Sequence, residues 1–168
     1  MRLLYLILFL LYCSYSYANS SANKADSLLE FTKGFKVEFE YTVEKVATNS
    51  QIIKPNNIER IKYKSTKPFA EDSSGKWFMR FSLDIIQYKD AEEAKGAFED
   101  LREKTKGIFL ISKCQDYIVQ KGHRIYWIST PCHFWNISKL ERQFNIVMKI
   151  PDVSIGNAIR CKNGGFCE

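Results

Sequence analysis

Three segments in the first half of the chain alternate between apolar and polar residues, strictly in 36–44 and over most of their length in 59–64 and 77–88. Successive side chains of a β-strand point to opposite faces, so this alternation predicts strands that are buried on one side. A solvated second face is typical of antiparallel sheets. The intervening residues, among them Pro55 and Gly75, have turn chemistry.

After residue 88 the pattern changes to the period of a helix. Asp90 stands where an N-cap is expected, and Glu93 completes a capping box. Ala94, Phe98 and Leu101 recur at helical spacing, and Gly107 offers a left-handed stop. The sequence therefore predicts an amphipathic helix between Asp90 and Gly107. The apolar run 108–111 fits either a buried strand or another helical turn.

The second half of the chain predicts a hairpin followed by a second helix. Residues 117–120 and 123–129 have strand composition, and Gly122 between them supplies the positive φ of a tight turn. Leu140, Phe144 and Met148 then share one helical face, and Pro151 ends that helix. We expect the tail, 152–168, to be irregular and held by a disulfide.

Together these elements predict an α+β fold. We expect an antiparallel sheet of about five strands, with two helices packed on one face and a C-terminal half stabilised by disulfides. Residues 19–168 are enough for a single domain with one substantial core.

The first eighteen residues resemble a cleavable signal peptide. Arg2 precedes an apolar run, 3–12, and Ser16 and Ala18 are small residues at the positions that a signal peptidase reads. We therefore expect export, into a periplasm or into the medium. Lipoprotein anchoring through Cys13 is the less favoured alternative, because bulky Tyr12 precedes the cysteine. No further segment predicts a transmembrane helix in the mature chain.

Removal of this leader leaves four cysteines, an even number that predicts two disulfides in an exported chain. Three connectivities are possible. We favour Cys114–Cys132, which flank the predicted hairpin, and Cys161–Cys167, which close a short loop that contains Gly164 and Gly165.

The mature chain keeps 24 of the 25 basic residues against 19 acidic ones. This excess favours anionic partners, but no run of like charges marks a strong nucleic-acid site. Two surfaces are candidates for binding: the basic strand with Arg60, Lys62, Tyr63 and Lys64, and the aromatic cluster Tyr126, Trp127, Phe134 and Trp135. The alternative for the basic strand is that it is a charged edge strand with no binding role. The alternative for the aromatic cluster is that it belongs to the hydrophobic core.

The chain shows no catalytic, metal-binding or cofactor-binding motif. We expect a non-enzymatic recognition domain that binds a protein or an anionic envelope polymer. An inhibitor is one version of this hypothesis. The rival hypothesis is an envelope hydrolase or thiol enzyme that uses Cys132 with His123 or His133. A structural envelope protein is the third hypothesis. The oligomeric state is left open.

Overall fold

The computed structural model describes residues 31–35, 37–46, 55–68, 70–73, 75–106, 115–131, 137–151, 158–161 and 167. In chain order its elements are a 3₁₀ turn (Phe31–Gly34), β1 (Phe39–Lys45), β2 (Asn57–Ser65), β3 (Ala70–Asp72), β4 (Gly75–Trp77), β5 (Arg80–Gln87), α1 (Ala91–Thr105), β6 (Gln115–Lys121), β7 (Arg124–Thr130), α2 (Ile137–Met148) and β8 (Ala158–Cys161). The predicted α+β class is confirmed.

Six of the strands form one antiparallel sheet in the order β1-β2-β5-β7-β6-β8, and β3 and β4 form a separate hairpin. The predicted hairpin between β6 and β7 is present, and Gly122 at its turn has a φ of 58°. That conformation is accessible to glycine without the steric penalty that a Cβ brings.

The two helices lie on opposite faces of the sheet, which corrects the expectation that both cover one face. Neighbouring residues of β7 show the division: Ile125 packs in the cluster of α1, and Tyr126 packs in the cluster of α2. The central strands are therefore buried on both sides. We call the two surfaces the α1 face and the α2 face.

The α2 face holds most of the aromatic core. Phe31, from the 3₁₀ turn, makes edge contacts with the rings of Tyr63, Phe81 and Phe144. Tyr63 and Phe81, which are cross-strand neighbours on β2 and β5, stack with ring centroids 4.6 Å apart. Edge-to-face and stacked rings add specific geometry to the apolar area that they bury.

The α1 face has an aliphatic core. Ala94, Phe98 and Leu101 of α1 are buried, as the helical spacing predicts. They belong to a cluster with one isoleucine from each of five sheet strands, namely Ile58, Ile86, Ile118, Ile125 and Ile159. Asp90 caps this helix as expected, because its side chain accepts hydrogen bonds from the backbone N–H groups of Glu92 and Glu93.

A sixth strand, β8, lies within the tail that we expected to be irregular. It pairs with β6, and Ala158, Ile159 and Cys161 are all buried. The strand is only four residues long, and it contributes to the clusters of both faces. A short strand buried on two sides lacks the polar alternation that identifies a half-exposed one.

The segment 77–88 forms two elements where one strand was expected. Trp77 ends β4, and β5 begins at Arg80. Hairpin pairing places Trp77 opposite Ala70, outside the main sheet, and its side chain is 46% exposed. The alternation of apolar residues therefore continues from β4, which pairs with β3, into β5, which pairs with β2.

Helix α2 ends without glycine or proline. Lys149 adopts a φ of 50°, and Ile150 N–H donates to the carbonyl of Asn145 while Lys149 N–H donates to that of Ile146. This is the Schellman pattern of hydrogen bonds, which satisfies carbonyls at a helix end. Pro151 follows the stop and does not cause it.

The expected bridge between Cys161 and Cys167 is present. The other expected bridge, Cys114–Cys132, lies outside the described residues, as do the leader 1–18, Cys13 and the run 108–111. Within the described residues, no helix has the length and apolar composition to cross a membrane.

The aromatic packing gives a stability prediction at Phe144, which is fully buried and contacts the rings of Phe31 and Tyr126. Phe144→Ala removes these contacts and leaves a cavity, so we expect the free energy of unfolding to fall by about 3–5 kcal/mol. Ile146→Ala, on the same helix but 61% exposed, should change it by less than about 0.5 kcal/mol. Urea unfolding followed by circular dichroism measures both. Equal losses would contradict the assignment of the core.

Candidate functional site

Part of the α1 face is not covered by α1. The helix contacts β6 and β7 near the buried isoleucines and leaves the opposite ends of β2 and β5 open, together with β1. We call this uncovered region the polar half of the α1 face. It comprises Glu40, Thr42 and Glu44 of β1, Arg60, Lys62 and Lys64 of β2, Arg80, Ser82 and Asp84 of β5, and Ser129 of β7.

An open concavity of about 680 Å³ lies on this polar half. Its polar lining comes from four strands: Glu40, Thr42, Lys62, Lys64, Arg80, Ser82 and Ser129. Tyr41, Tyr63, Phe81, Thr130 and Pro131 complete the wall, more of which is apolar than polar. The volume is within the range of small-molecule sites, and the side chains rise from regular strands, which hold them in fixed relative positions.

Carboxylates compensate two of the cations in the concavity. Lys62 Nζ lies 2.8 Å from Glu44 Oε1, and Lys64 Nζ lies 3.2 Å from Glu40 Oε1. All four side chains are exposed to a large extent, so water and salt screen these pairs, and their contribution to stability is small. Their effect is mainly to orient the lysines along the strand.

Arg80 is the cation without such compensation. It lies directly opposite Lys64 in the β2–β5 register, is exposed, and forms no ion pair with any described residue. Like charges directly opposite each other destabilise a sheet. An anion held between the two cations removes that repulsion, and five N–H donors of a guanidinium suit a carboxylate or phosphate.

A third ion pair borders the concavity on the side nearer α1. Arg60 donates two hydrogen bonds of 2.6 Å to the two carboxylate oxygens of Asp84. The hydrogen bond to Asp84 raises the pKa of Arg60. This bidentate pair occupies both groups and fixes the boundary between the polar half and the isoleucine cluster.

A buried carboxylate lies beneath the same region. Asp116 is 4% exposed and accepts a hydrogen bond of 2.9 Å from the indole Nε1 of Trp127. Burial raises the pKa of Asp116, and hydrogen bonds from Trp127 and Ser129 partly oppose that shift. Ser129 also lines the concavity, so the buried carboxylate contacts its wall.

The structure brings together only part of the residues that we predicted for binding. Arg60, Lys62 and Lys64 share the polar half of the α1 face, whereas Tyr63 points to the other side and is buried against Phe81. Tyr63 lies between Lys62 and Lys64 in the strand, and adjacent side chains of a strand face opposite ways.

The aromatic cluster is also divided between the faces. Tyr126 is 3% exposed and packs against Phe144 in the core, so it presents no accessible ring. Trp127 is partly buried on the α1 face, and Phe134 and Trp135 lie outside the described residues. Tyr126 is therefore a residue of the hydrophobic core.

The residues considered for thiol or metal chemistry are not assembled in the part of the chain that the structure describes. His123 is an exposed residue of the β6–β7 turn, and Cys161 and Cys167 are joined to each other. Cys132 and His133 lie outside the described residues. Among the residues described, no group of three His, Cys, Asp or Glu side chains is placed to hold a metal ion.

Sequence reasoning missed Arg80, Thr42, Ser82 and Ser129 as members of the site. Each appears in the sequence as the polar partner of an alternating strand, which is the expected solvent face of any such strand. The sequence signal that was available is the basic character of Lys62 and Lys64 in β2. The neighbours of that strand depend on sheet order, which alternation does not specify.

No protein-family model, no curated protein and no solved structure matches this chain.

Asp116 gives a prediction for the pH dependence of stability. Its pKa is higher in the folded than in the unfolded chain, so the ionised carboxylate disfavours folding at neutral pH. This cost disappears as the pH falls through the raised pKa. Asp116→Asn keeps an oxygen that can accept from Trp127 and removes the charge, so we expect it to stabilise the protein at neutral pH.

The measurement is the difference in unfolding free energy between variant and parent, from about pH 7 down to about pH 4. We expect the stabilisation to shrink as the pH falls. Glu38→Gln makes the corresponding change at an exposed carboxylate just before β1 of the same sheet and controls for loss of charge alone. A difference for Asp116→Asn that stays constant with pH would contradict the role of burial.

Proposed function

We propose that this protein is an exported, non-enzymatic recognition domain that binds an anionic group in the concavity on the polar half of the α1 face. The observation that carries the proposal is the direct opposition of Lys64 and Arg80 at the wall of an open cavity. Two cations face each other there, and the carboxylate of Glu40 pairs with only one of them.

The remaining polar groups of the concavity support this reading. Hydroxyl groups of Thr42 and Ser82 can donate to the oxygens of a carboxylate, sulfate or phosphate, whereas the hydroxyl of Ser129 already donates to Asp116. Thr42 and Ser82 come from two different strands, so a ligand that contacts both is held in a defined orientation. The partners that fit are an acidic segment of a protein or an anionic polymer of the cell envelope.

The proposal includes export, which the leader-like residues 1–18 and the disulfide Cys161–Cys167 support. Disulfides persist in oxidising compartments and are rare in the cytosol. The polar half of the α1 face offers a binding surface and no paired nucleophile and base, so a recognition role fits its geometry better than hydrolysis does.

The binding proposal is tested at Arg80. Arg80→Gln removes the uncompensated charge and keeps a polar side chain, and we expect it to weaken binding at least about tenfold, since charge-assisted hydrogen bonds are lost. Suitable probes are inorganic polyphosphate, polygalacturonate and vesicles that contain phosphatidylglycerol, measured by titration calorimetry or flotation. The affinity of the parent protein should fall as salt is raised.

Lys95→Gln is the matched control for that experiment. Lys95 is an exposed cation on α1 that does not line the concavity, and its substitution changes the net charge by the same amount. We expect the parent affinity within about twofold, because salt largely screens an exposed charge that makes no direct contact with the ligand. Equal losses in both variants would show diffuse attraction and contradict a site at Arg80.

Export is tested separately by the oxidation state of the cysteines. In protein from its native host, unfolded without reductant, we expect no free thiol and an intact mass that corresponds to loss of the leader. Free thiols on Cys114 and Cys132 would keep the thiol-enzyme hypothesis open. A fully reduced chain that retains residues 1–18 would contradict export.

A further inference from the structure

Strand β1 is an exposed edge of the main sheet. Its only partner among the described strands is β2, and four consecutive residues, Glu40 to Val43, are exposed. Two of them are large apolar side chains on the α2 face: Tyr41 is 47% exposed and Val43 is 48% exposed. Edge strands of stable monomers usually carry charges or bulges at such positions.

The hydrogen bonds at the two ends of β1 determine which backbone groups face outward. Val46 N–H donates to the carbonyl of Ile58, and Thr66 N–H donates to that of Glu38. In an antiparallel pair such bonds recur at every second residue, so the even-numbered residues of β1 point their backbone groups at β2. The odd-numbered residues point theirs outward.

The outward backbone groups therefore belong to the same residues as the exposed apolar side chains. Phe39, Tyr41, Val43 and Lys45 point their N–H and carbonyl groups away from β2, which is the one described strand that pairs with β1. The two glutamates on the opposite side of the strand, Glu40 and Glu44, are held by lysines of β2. A strand that is added here finds outward backbone groups and an apolar side at once.

We propose that this edge pairs with β1 of a second copy of the chain, antiparallel, about a two-fold axis at Val43. Val43 then pairs with Val43 of the second copy, Tyr41 lies opposite Lys45 of the second copy, and by symmetry Lys45 lies opposite Tyr41. These three hydrogen-bonded pairs use the outward N–H and carbonyl groups of residues 41, 43 and 45. The interface is isologous, as it is in most soluble homodimers.

Charge selects this register from the neighbouring ones. An axis at Thr42 places Glu40 opposite Glu44 of the second copy, and an axis at Glu44 places that residue opposite itself. An axis at Tyr41 brings Glu38 against Glu44 of the second copy. With the axis at Val43, Glu44 lies opposite Thr42 and no like charges are directly opposed within β1.

Pairing of this kind joins the two six-stranded sheets into one continuous sheet. Glu40, Tyr41 and Thr42 of β1 also line the concavity, so the two concavities come to lie on either side of the dyad. The dimer is independent of what these cavities bind. A polymer that reaches both gains affinity from the second contact.

The test is the mass of the mature protein by sedimentation, over a range of concentrations, together with amide hydrogen exchange. We expect a monomer–dimer equilibrium. The amides of Tyr41, Val43 and Lys45 should become protected as the concentration rises, while those of Thr42 and Glu44 are protected throughout. Val43→Lys opposes two charges at the axis and should raise the dissociation constant at least about tenfold.

Two controls make the result decisive. Ile146→Lys makes the same change at an apolar side chain of α2 that is 61% exposed, and it should leave the dissociation constant unchanged. Circular dichroism shows whether both variants keep the fold. A monomer at every concentration overturns the proposal, and so does protection of residues 41, 43 and 45 that does not depend on concentration. An equal effect of both lysine variants also overturns it.

Discussion

The structure depends on the burial of its central strands on both faces. Ile125 and Ile128 of β7 are fully buried on opposite sides, one in the cluster of α1 and the other in the cluster of α2. Successive side chains must alternate between faces, so a strand of this kind needs a helix on each side. The position of each helix then decides which parts of the sheet stay open.

The candidate site exists because helix α1 covers only part of its face of the sheet. Helix α1 contacts β6 and β7, and its apolar residues match the isoleucines at one end of the strands. Beyond their isoleucines, β2 carries Arg60 and Lys62 and β5 carries Arg80, and these side chains need water or a charged partner. A sheet that is half covered therefore provides a dry core and an open concavity with charged side chains on a single face.

Sequence pattern predicted the elements better than their assembly. Asp90, Ala94 and Phe98 defined α1 because capping and helical spacing are local properties, and Gly122 defined a turn for the same reason. Strand β8 was missed because four residues buried on two sides show no alternation. The placement of Arg80 beside Lys64 depends on strand order and register, which arise from contacts between distant segments. Likewise, nothing local distinguishes buried Tyr63 from an exposed ring on a basic strand.

The position of β8 in the chain has a consequence for how the domain is made. This strand is synthesised after every other described strand, yet it covers the edge of β6 and fills gaps in both hydrophobic clusters. Arg160 within it also donates to Glu141 of α2 and lies over the ring of Tyr117. A nascent polypeptide that emerges from a ribosome therefore holds an unfinished core until β8 arrives, and the edge of β6 has no β8 partner in that interval.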